Sequence, residues 1–573
     1  MNATLHSLLM DAANRCTDDK GYRYLDRRER ETFRSFAELA DRAGRMAAGL
    51  VQRGIQPGDT VAIVLPTTPD FTDVFFACSF IGAIPVPLYP PVRLGRLEEY
   101  YARTARMLAV SNAAILVTDS RAGKLMGSVV AKTMPRAGVV RAEALLERAP
   151  ADPVAPTPDD IAMVQFSSGT TGHPKPVALT HRQVLSNADV VLDIVPDKGS
   201  IVPSGVSWLP LYHDMGLIGC VMPALLYGAE LTLIPPEAFL AKPAIWLRAL
   251  SRYKGLISPA PNFAYALATE RIADDELDGV DLSCWRYALN GAEPVNASTM
   301  RAFTERFAAW GLRPEALNPV YGLSEAALAV TFSDGDAPFV AQTFDPTALS
   351  QGRAEPSEEG VELVSSGRPL RGFSVRIRDA SRADLPDGVV GDVWVRGPSV
   401  MERYLDNSPP PKDGEWLDTG DCGFVLGAEL YITGRRKDVI VVRGQNHSPQ
   451  SLEMAVDGVP GVRTGCAAAV SSLEPEGERV LVFVETRSDA DAELAERCRS
   501  AIMASSGINP DLVVPVVAGT LPRTSSGKIR RGEALRRWKA GELNPPEAVT
   551  PLHLAGALAK SAWSHWTQRV SHD

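Results

Sequence analysis

The stretch that decides the fold runs from Met163 to His181 and reads MVQFSSGTTGHPKPVALTH. Apolar residues flank a run of serine, threonine, glycine and proline that holds one lysine, so we expect a strand leading into a polar loop. Glycines let successive backbone N–H groups point into one concavity, which can bind phosphate. The loop, residues 166–175, offers as candidate phosphate donors Ser167, Ser168, Gly169, Thr170, Thr171, Gly172 and Lys175. Its spacing is not that of a Walker motif, and alone such a loop is more often a plain turn.

The composition is that of a large globular protein. A chain of 573 residues with 45% hydrophobic content is too long for one core, so several subdomains are expected. A net charge of −10 gives no positive field for nucleic acid. The seven cysteines are scattered and form no C-x-x-C pair, which favours a cytoplasmic location. No secretion leader or long apolar run is visible, so we expect no integral membrane association.

Strand-like and helical segments alternate along most of the chain. Residues 59–66 and 113–119 suit strands, whereas residues 35–54 repeat apolar residues at helical spacing. Alternation of this kind predicts an α/β protein with mostly parallel sheets. The pattern of strand-like and helical segments changes after Arg436. We therefore expect a large N-terminal domain of residues 1–436 and a small, mobile α+β C-terminal domain of residues 437–545. A short tail, residues 546–573, follows.

Five further motifs accompany the loop in a fixed order. They read WLPLYHDMG (208–216), NGAEPV (290–295), YGLSEA (321–326), DTGD (418–421) with GRRKD (434–438), and LPRTSSGKIRR (521–531). Together with the phosphate loop they resemble the adenylate-forming superfamily of acyl-CoA synthetases, luciferases and peptide-synthetase adenylation domains. The resemblance implies that a carboxylate attacks the α-phosphorus of ATP. Two negative groups must then be brought together, which requires cations and fixed dipoles.

The resemblance assigns a role to the residues of each motif. Lys528 would neutralise charge on the carboxylate and α-phosphate, Glu325 would hold Mg²⁺, and His213 would lie beside the acid. Lys437 would be the hinge about which the small domain rotates. The implied nucleotide site adds to the phosphate loop Gly291, Ala292, Glu293, Tyr321, Gly322, Ser324, Asp421 and Arg435.

Each of these residues also has an ordinary interpretation. Outside this context Lys528 would sit on a solvated turn and Glu325 would be a helix cap. Tyr321 would be core packing, and Asp421 with Arg435 would be a surface ion pair of little value. Their joint occurrence in order favours the functional interpretation.

Several stretches resemble one branch of this superfamily, the fatty acyl-AMP ligases. The stretches are PNFAYAL (261–267), RGQNHSPQSLE (443–453) and an insertion at about 341–363. The resemblance implies ATP and Mg²⁺ as cofactors and a fatty acid as substrate. The acceptor would be the phosphopantetheine thiol of a stand-alone acyl carrier protein, or of a carrier domain of a polyketide or peptide synthase. The insertion would restrain the small domain and disfavour CoA, and the implied acyl pocket includes Asn262, Phe263 and Tyr265.

Two departures from the family pattern stand out. Pro176 follows the loop lysine where glycine is usual, which removes a backbone donor and fixes φ. Pro259 and Ala260 stand where the branch more often has two glycines, and bulkier residues there would reshape the acyl tunnel.

Two alternatives remain at this point. The nearest is a fatty acyl-CoA synthetase, which shares the first half-reaction and uses CoA as acceptor. The other is a non-catalytic nucleotide-binding homologue. Against it stands the retention of Glu325 and Lys528, which binding alone does not require.

Overall fold

The computed structural model describes residues 3–91, 97–126, 129, 133–167, 174–196, 204–442, 445–474, 477–486, 493–524 and 527–545. The predictions made for the rest of the phosphate loop and for the tail, residues 546–573, lie outside these ranges. The loop residues concerned are Ser168, Gly169, Thr170, Thr171 and Gly172. Among the described helices, none is long and apolar enough to cross a membrane.

The described helices are spread over the whole chain. In order they are α1 Leu5–Arg15, α2 Phe36–Gln52, α3 Pro69–Phe80, α4 Leu97–Val110, α5 Ser120–Gly123, α6 His181–Val191, α7 Asp214–Gly216, α8 Met222–Tyr227, α9 Pro236–Ala241, α10 Ala244–Arg252, α11 Asn262–Arg271, α12 Ala297–Phe307, α13 Pro346–Ser350, α14 Pro449–Asp457, α15 Leu494–Ser506 and α16 Arg531–Lys539.

Helix α2 shows how local sequence produces these elements. The Ser35 side chain caps it by accepting from the backbone N–H of Glu38. Its apolar residues recur every three or four positions, so one face of the helix is buried. The buried residues include Phe36, Leu39, Ala40, Ala43, Met46 and Ala47. The helix predicted from periodicity in residues 35–54 is therefore confirmed.

A nine-stranded sheet forms the centre of the large domain. Its order is β17-β14-β13-β12-β11-β9-β10-β1-β2, and the inner strands from β13 to β1 are parallel. The strands are β1 Gly21–Leu25, β2 Glu31–Ser35, β9 Gly205–Ser207, β10 Leu231–Leu233, β11 Ile257–Ala260, β12 Tyr287–Asn290, β13 Leu317–Gly322, β14 Ala329–Phe332 and β17 Arg368–Pro369. The parallel core confirms the predicted fold class, whereas the edges are antiparallel.

Smaller sheets complete this domain. A four-stranded parallel sheet contains β3 Thr60–Val64, β4 Ile84–Pro87, β5 Ile115–Thr118 and β6 Val139–Arg141. Two antiparallel sheets hold β7 Ile161–Phe166, β8 Pro176–Thr180 and β20 Arg403–Tyr404 in one, and β18 Ser374–Arg378, β19 Gly391–Arg396, β21 Lys412–Asp413, β22 Trp416–Leu426 and β23 Glu429–Arg435 in the other. The insertion forms its own hairpin of β15 Ala341–Phe344 and β16 Val361–Val364.

The small domain follows a single 3₁₀ turn, Arg436–Asp438. It contains β24 Ile440–Val442, β25 Gln445–His447, β26 Val462–Glu474, β27 Gly477–Thr486 and β28 Leu512–Val516. Strands β26 and β27 are antiparallel, and β28 joins them in parallel. Two buried clusters of this region, among them Ile440, Val484 and Leu521, draw only on residues after the turn. This separation supports the proposed division near residue 436.

The sheet topology places the motifs side by side. Strands β9, β11, β12 and β13 are neighbours and parallel, so their carboxyl ends share one edge. The motifs that begin at Trp208, Asn290 and Tyr321 fall at or directly after these ends. Ligands of open α/β sheets bind at such an edge. The fold therefore builds one site from segments that are distant in the sequence.

Candidate active site

A cavity of about 370 Å³ lies at this edge of the large sheet and is also lined by residues 435–437, where the two domains join, and by Lys528 of the small domain. The predicted site residues that line it are Ser167, Lys175, His213, Ala292, Tyr321, Gly322, Ser324, Glu325, Arg435, Lys437 and Lys528. The cavity thus brings together described residues of the phosphate loop and of each of the five further motifs.

Tyr321, Asp421 and Arg435 form a connected group, in which Tyr321 and Arg435 line the cavity and the buried Asp421 lies next to them. The Tyr321 hydroxyl donates to Asp421 Oδ2 at 2.7 Å, and Arg435 Nε lies 3.1 Å from Asp421 Oδ1. Asp421 and Arg435 are register partners on β22 and β23, so the sheet itself fixes their pairing. Burial and the Asp421 charge raise the pKa of Tyr321, so its hydroxyl remains a donor. This group holds an aromatic face and a carboxylate in fixed positions at the cavity.

Two glycines allow the close approach of neighbouring backbone segments here. A Cβ at Gly291 would lie 2.7 Å from the Val320 carbonyl oxygen, and one at Gly322 would lie 1.8 Å from the Leu328 carbonyl oxygen. Neither position admits a side chain without backbone movement. Ala292, next to Gly291, has a φ of 68° and lines the cavity.

Lys528 reaches the cavity from a tight loop of the small domain. Thr524 makes two hydrogen bonds to Lys528. Its N–H donates to the Lys528 carbonyl at 2.7 Å, and its hydroxyl accepts from the Lys528 N–H at 3.1 Å. Burial, and then the charge of Arg435, lower the pKa of Lys528, while Asp214 is the strongest of the carboxylates that oppose this effect. The structure thus places the Lys528 amine at the cavity, near both Arg435 and Asp214.

Glu325 lies in the 3₁₀ turn Ser324–Ala326 and lines the same cavity. Burial raises the pKa of Glu325, and Arg435 and Lys175 oppose this effect. Lys175 Nζ stands 4.8 Å from the ring centroid of Tyr404, which also lines the cavity. The described residues contain no cluster of three acidic, histidine or cysteine ligands. A single carboxylate nevertheless suits Mg²⁺, which takes most of its other ligands from phosphate and water.

His213 is held by an acid that the sequence analysis did not single out. Its Nδ1 lies 2.6 Å from Asp214 Oδ1, and the Ser324 hydroxyl donates to Asp214 Oδ2. Burial opposes ionisation of Asp214, but His213, Ser324 and Lys528 together lower its pKa to about 2. Asp214 is thus a carboxylate, and its Oδ1 also accepts from the Met215 N–H at 2.7 Å. The motif WLPLYHDMG contained this residue, and its place directly after His213 was the available signal.

The base of the phosphate loop is described although its tip is not. The Ser167 N–H donates to the Lys175 carbonyl at 3.0 Å, which closes the base. Pro176 is the first residue of β8, and its carbonyl accepts from the Leu405 N–H at 2.8 Å. A proline at the start of a strand requires no ladder N–H. The described backbone around Lys175 thus accommodates Pro176.

One wall of the cavity is apolar. It comprises Val191, Met215, Gly219, Pro259, Leu289, Val320, Leu328, Ala329 and Phe332. Of these, only Pro259 was expected near the acyl chain. Met215 stands in the motif WLPLYHDMG, whereas the others come from α6, β12, β13, β14 and the segments before α8 and β14, at positions outside the recognised motifs. This apolar wall next to Lys528 suits a hydrocarbon chain.

The three residues predicted for the acyl pocket do not line this wall. Tyr265 is fully buried, donates to the Leu289 carbonyl at 3.1 Å and packs on Trp246 and Phe303, so it is a core residue. Phe263 packs edge-on against Trp208. The Asn262 side-chain oxygen accepts from the Asn296 backbone N–H and from the Asn290 side-chain amide. The three residues therefore pack next to the site without lining its cavity.

Gly219 offers a test of the apolar wall. The only atom that a Cβ there would meet within 4 Å is Leu328 Cδ2, at 2.7 Å, and Leu328 is itself a wall residue. A larger side chain at this position therefore points into the cavity. We expect Gly219→Leu to raise the KM of long acids about tenfold or more, because it excludes several methylenes, while the shortest accepted acid is little affected. Steady-state kinetics over a ladder of acids measures this; equal loss at all lengths would contradict it.

Glu293 faces away from the cavity towards the small domain. It is half-buried, and its Oε1 accepts from the Phe263 N–H at 2.6 Å, so it fixes the start of α11. Burial raises the pKa of Glu293. In the small domain, burial likewise raises the pKa of Asp457, to about 7. The Glu293 charge adds to the shift of Asp457, whose Oδ1 accepts from the Gly465 N–H at 2.8 Å.

Asp457 makes the stability of the protein pH-dependent. The unfolded carboxyl ionises near pH 4, whereas the folded one keeps its proton to about pH 7, so the free energy of unfolding falls as pH rises between these values. We expect Asp457→Asn, which keeps the acceptor oxygen, to stabilise the protein by about 2 kcal/mol at pH 8 and by almost nothing at pH 4. Thermal melts at both pH values measure this. A stabilisation that does not depend on pH would contradict the assignment.

Comparison with known proteins agrees with this site. The AMP-binding enzyme family matches residues 11–405. A Caulobacter vibrioides protein that bears the name of an acyl-CoA synthetase is 35% identical over 532 residues, covering 88% of this chain and 90% of its own. The 4-hydroxyphenylalkanoate adenylyltransferase of Mycobacterium tuberculosis is 35% identical over 529 residues, covering 86% and 84%. A solved structure from work on fatty acyl-adenylate ligases of E. coli and L. pneumophila superposes with a TM-score of 0.86 at 32% identity, covering 94% of this chain and 98% of that chain.

The fold and the site define an adenylate-forming ligase with a large N-terminal and a smaller C-terminal domain. The chain belongs to the AMP-binding enzyme family. The resemblance to the fatty acyl-AMP ligase branch, inferred from the motifs, is confirmed by the structural match.

Proposed function

We propose that this protein activates a fatty acid with ATP and passes the acyl group to the phosphopantetheine thiol of a separate carrier protein. The observation that carries the proposal is the position of Lys528 in one cavity with Tyr321, Glu325 and an apolar wall. A polar part for the nucleotide then adjoins an apolar part for the acyl chain, with a cation near both.

In the first half-reaction a carboxylate oxygen attacks the α-phosphorus of ATP. The new O–P bond forms as the bond to the β-phosphate bridging oxygen breaks, and pyrophosphate leaves. Lys528 offsets the negative charge that accumulates as the two anions meet, and Lys175 offsets charge on the phosphates. Asp421 accepts from the ribose hydroxyls while Tyr321 presents its face to adenine. Glu325 would hold Mg²⁺, which when bound neutralises phosphate charge.

In the second half-reaction the carrier thiol attacks the acyl carbonyl, so a thioester forms and AMP leaves. Lys528 must withdraw to admit the thiol. Arg436 is anchored to Asp392 at 2.6 Å and Asp418 at 2.7 Å, both in the large domain. A rotation of the small domain therefore pivots after Arg436, which supports Lys437 as the hinge. Burial lowers the pKa of Lys437 to about 8.

The insertion supports a carrier protein rather than CoA as acceptor. Its hairpin packs Phe344 against Phe424 and Tyr431 of the large domain. Its helix α13 contacts β25 of the small domain, and a cavity of about 120 Å³ lies between Leu349 of the insertion and His447 of the small domain. An element tied to both domains can limit the rotation that CoA-dependent transfer requires.

A mass-spectrometric product assay tests the acceptor. Purified protein, ATP and Mg²⁺ are given a ladder of fatty acids together with CoA, with a phosphopantetheinylated carrier protein, or with neither. We expect acyl adenylate without acceptor, acyl carrier with the carrier protein and little acyl-CoA. Efficient acyl-CoA formation would instead make the protein a fatty acyl-CoA synthetase, and nucleotide binding without any acyl adenylate would make it a non-catalytic homologue.

A further inference from the structure

A second charged contact joins the two domains outside the cavity. Glu99 on α4 of the large domain accepts from Arg530 Nη1 at 3.0 Å through Oε1 and from Arg537 Nη2 at 2.8 Å through Oε2. Both arginine side chains are only 13% exposed, whereas that of Glu99 is 42% exposed. One carboxylate thus holds two cations of the small domain at the domain seam.

The short backbone segment from Lys528 to Arg530 links this contact to the lysine. Arg530 is the N-terminal cap of α16 and lies two residues after Lys528. The Arg530 N–H donates to the Pro522 carbonyl at 2.8 Å, and Thr524 is hydrogen-bonded to the backbone of Lys528. These bonds couple the backbone of Lys528 to that of Arg530. A restraint on Arg530 is also a restraint on the position of the lysine.

The charges around Glu99 show why its loss would matter. Arg103, one turn further along α4, stacks its guanidinium 5.5 Å from the ring centroid of Tyr89. Burial lowers the pKa of Arg103, and the charge of Arg530 lowers it further, while Glu99 opposes both effects. Arg103 and Arg530 therefore repel each other across the seam. Without the Glu99 charge this repulsion favours separation of the small domain from α4.

We propose that Glu99 is a positioning residue, which holds the small domain in the orientation that keeps Lys528 in the cavity. It acts through Arg530 and Arg537 and does not line the cavity itself. The proposal rests on the proposed acyl-adenylate formation. It predicts that Glu99 accelerates the first half-reaction specifically, because the small domain must leave this orientation before the thiol can attack.

The test compares Glu99→Gln with the wild type and with Glu305→Gln, an exposed glutamate on α12 of the same domain. We expect the kcat for acid-dependent pyrophosphate release to fall about tenfold in Glu99→Gln, the size expected for a partly exposed, charge-assisted contact. The KM values for ATP and fatty acid and the melting temperature should not change. Transfer of the acyl group from preformed adenylate to the carrier should not slow. Glu305→Gln should behave as the wild type.

A double-mutant cycle and an activity-independent measurement complete the test. The variant Arg530→Gln/Arg537→Gln should give nearly the same kcat with and without Glu99→Gln, because Glu99 acts through these two contacts. Hydrogen–deuterium exchange of residues 97–110 and 527–539, measured without substrate, should rise in Glu99→Gln. Wild-type kcat together with wild-type exchange in Glu99→Gln would overturn the proposal. A wild-type protein that forms no acyl adenylate would refute the proposed function, and the exchange data would then decide on the contact alone.

Discussion

Replacement of Lys528 by alanine is expected to reduce acid-dependent pyrophosphate release by about 10²- to 10³-fold, the usual cost of one electrostatic contact to a developing charge. Lys528 lines the cavity, near Arg435 and Asp214. In the proposed reaction its ammonium group is the cation that faces the approaching carboxylate and phosphate. The effect should appear in kcat, because the contact strengthens as the two anions approach.

The control for this variant is Lys539→Ala, which removes an exposed lysine of helix α16 in the same domain. It should keep wild-type turnover. ATP affinity, measured by isothermal titration calorimetry, should remain close to wild type in Lys528→Ala, since the adenosine-facing residues belong to the large domain. A Lys528→Ala variant with wild-type turnover would remove this lysine from the mechanism.

Replacement of Asp421 by asparagine is expected to lower kcat/KM for ATP about a hundredfold, mainly through KM. The carboxylate is held by the Tyr321 hydroxyl at 2.7 Å and by Arg435 at 3.1 Å. An asparagine offers one acceptor oxygen, turns a donor towards one of its neighbours and leaves Arg435 without its charge partner. The substitution would weaken both the proposed ribose contact and the Tyr321–Asp421–Arg435 group that holds the carboxylate in place.

Nucleotide analogues make this prediction specific. The wild type should discriminate strongly against 2′-deoxy-ATP and 3′-deoxy-ATP, because a buried carboxylate then lacks a donor. In Asp421→Asn this discrimination should largely disappear. Tyr321→Phe keeps the ring and removes one donor to Asp421, so it should cost less than Asp421→Asn. Wild-type discrimination in Asp421→Asn would show that another group binds the ribose.

The predictable part of the site consisted of residues that carry a local signature. Lys528, Glu325 and Tyr321 stand in short motifs whose order along the chain identifies the family, and the structure places all three at one cavity. The parallel core of the large sheet followed from the alternation of strand and helix patterns. Motif residues must keep both identity and spacing, so a single sequence reveals them.

The remaining part depends on tertiary packing. The apolar wall is built from residues such as Val191, Leu328 and Phe332, which are ordinary apolar residues until the fold turns them towards one cavity. Tyr265 was assigned to the acyl pocket because it follows Phe263 in a family-like stretch, yet helix α11 directs it into the core. Glu99 joins residues more than 400 positions away, at a separation of 431 from Arg530, which no local pattern indicates.

The most direct test of the central claim is fatty-acid-dependent exchange of labelled pyrophosphate into ATP by the wild-type protein. Exchange requires reversible acyl-adenylate formation and neither CoA nor a carrier protein. We predict exchange that depends on both a fatty acid and Mg²⁺, and that is strongly reduced in Lys528→Ala. Absence of exchange with every acid of the ladder, in a folded protein that binds ATP, would contradict the account.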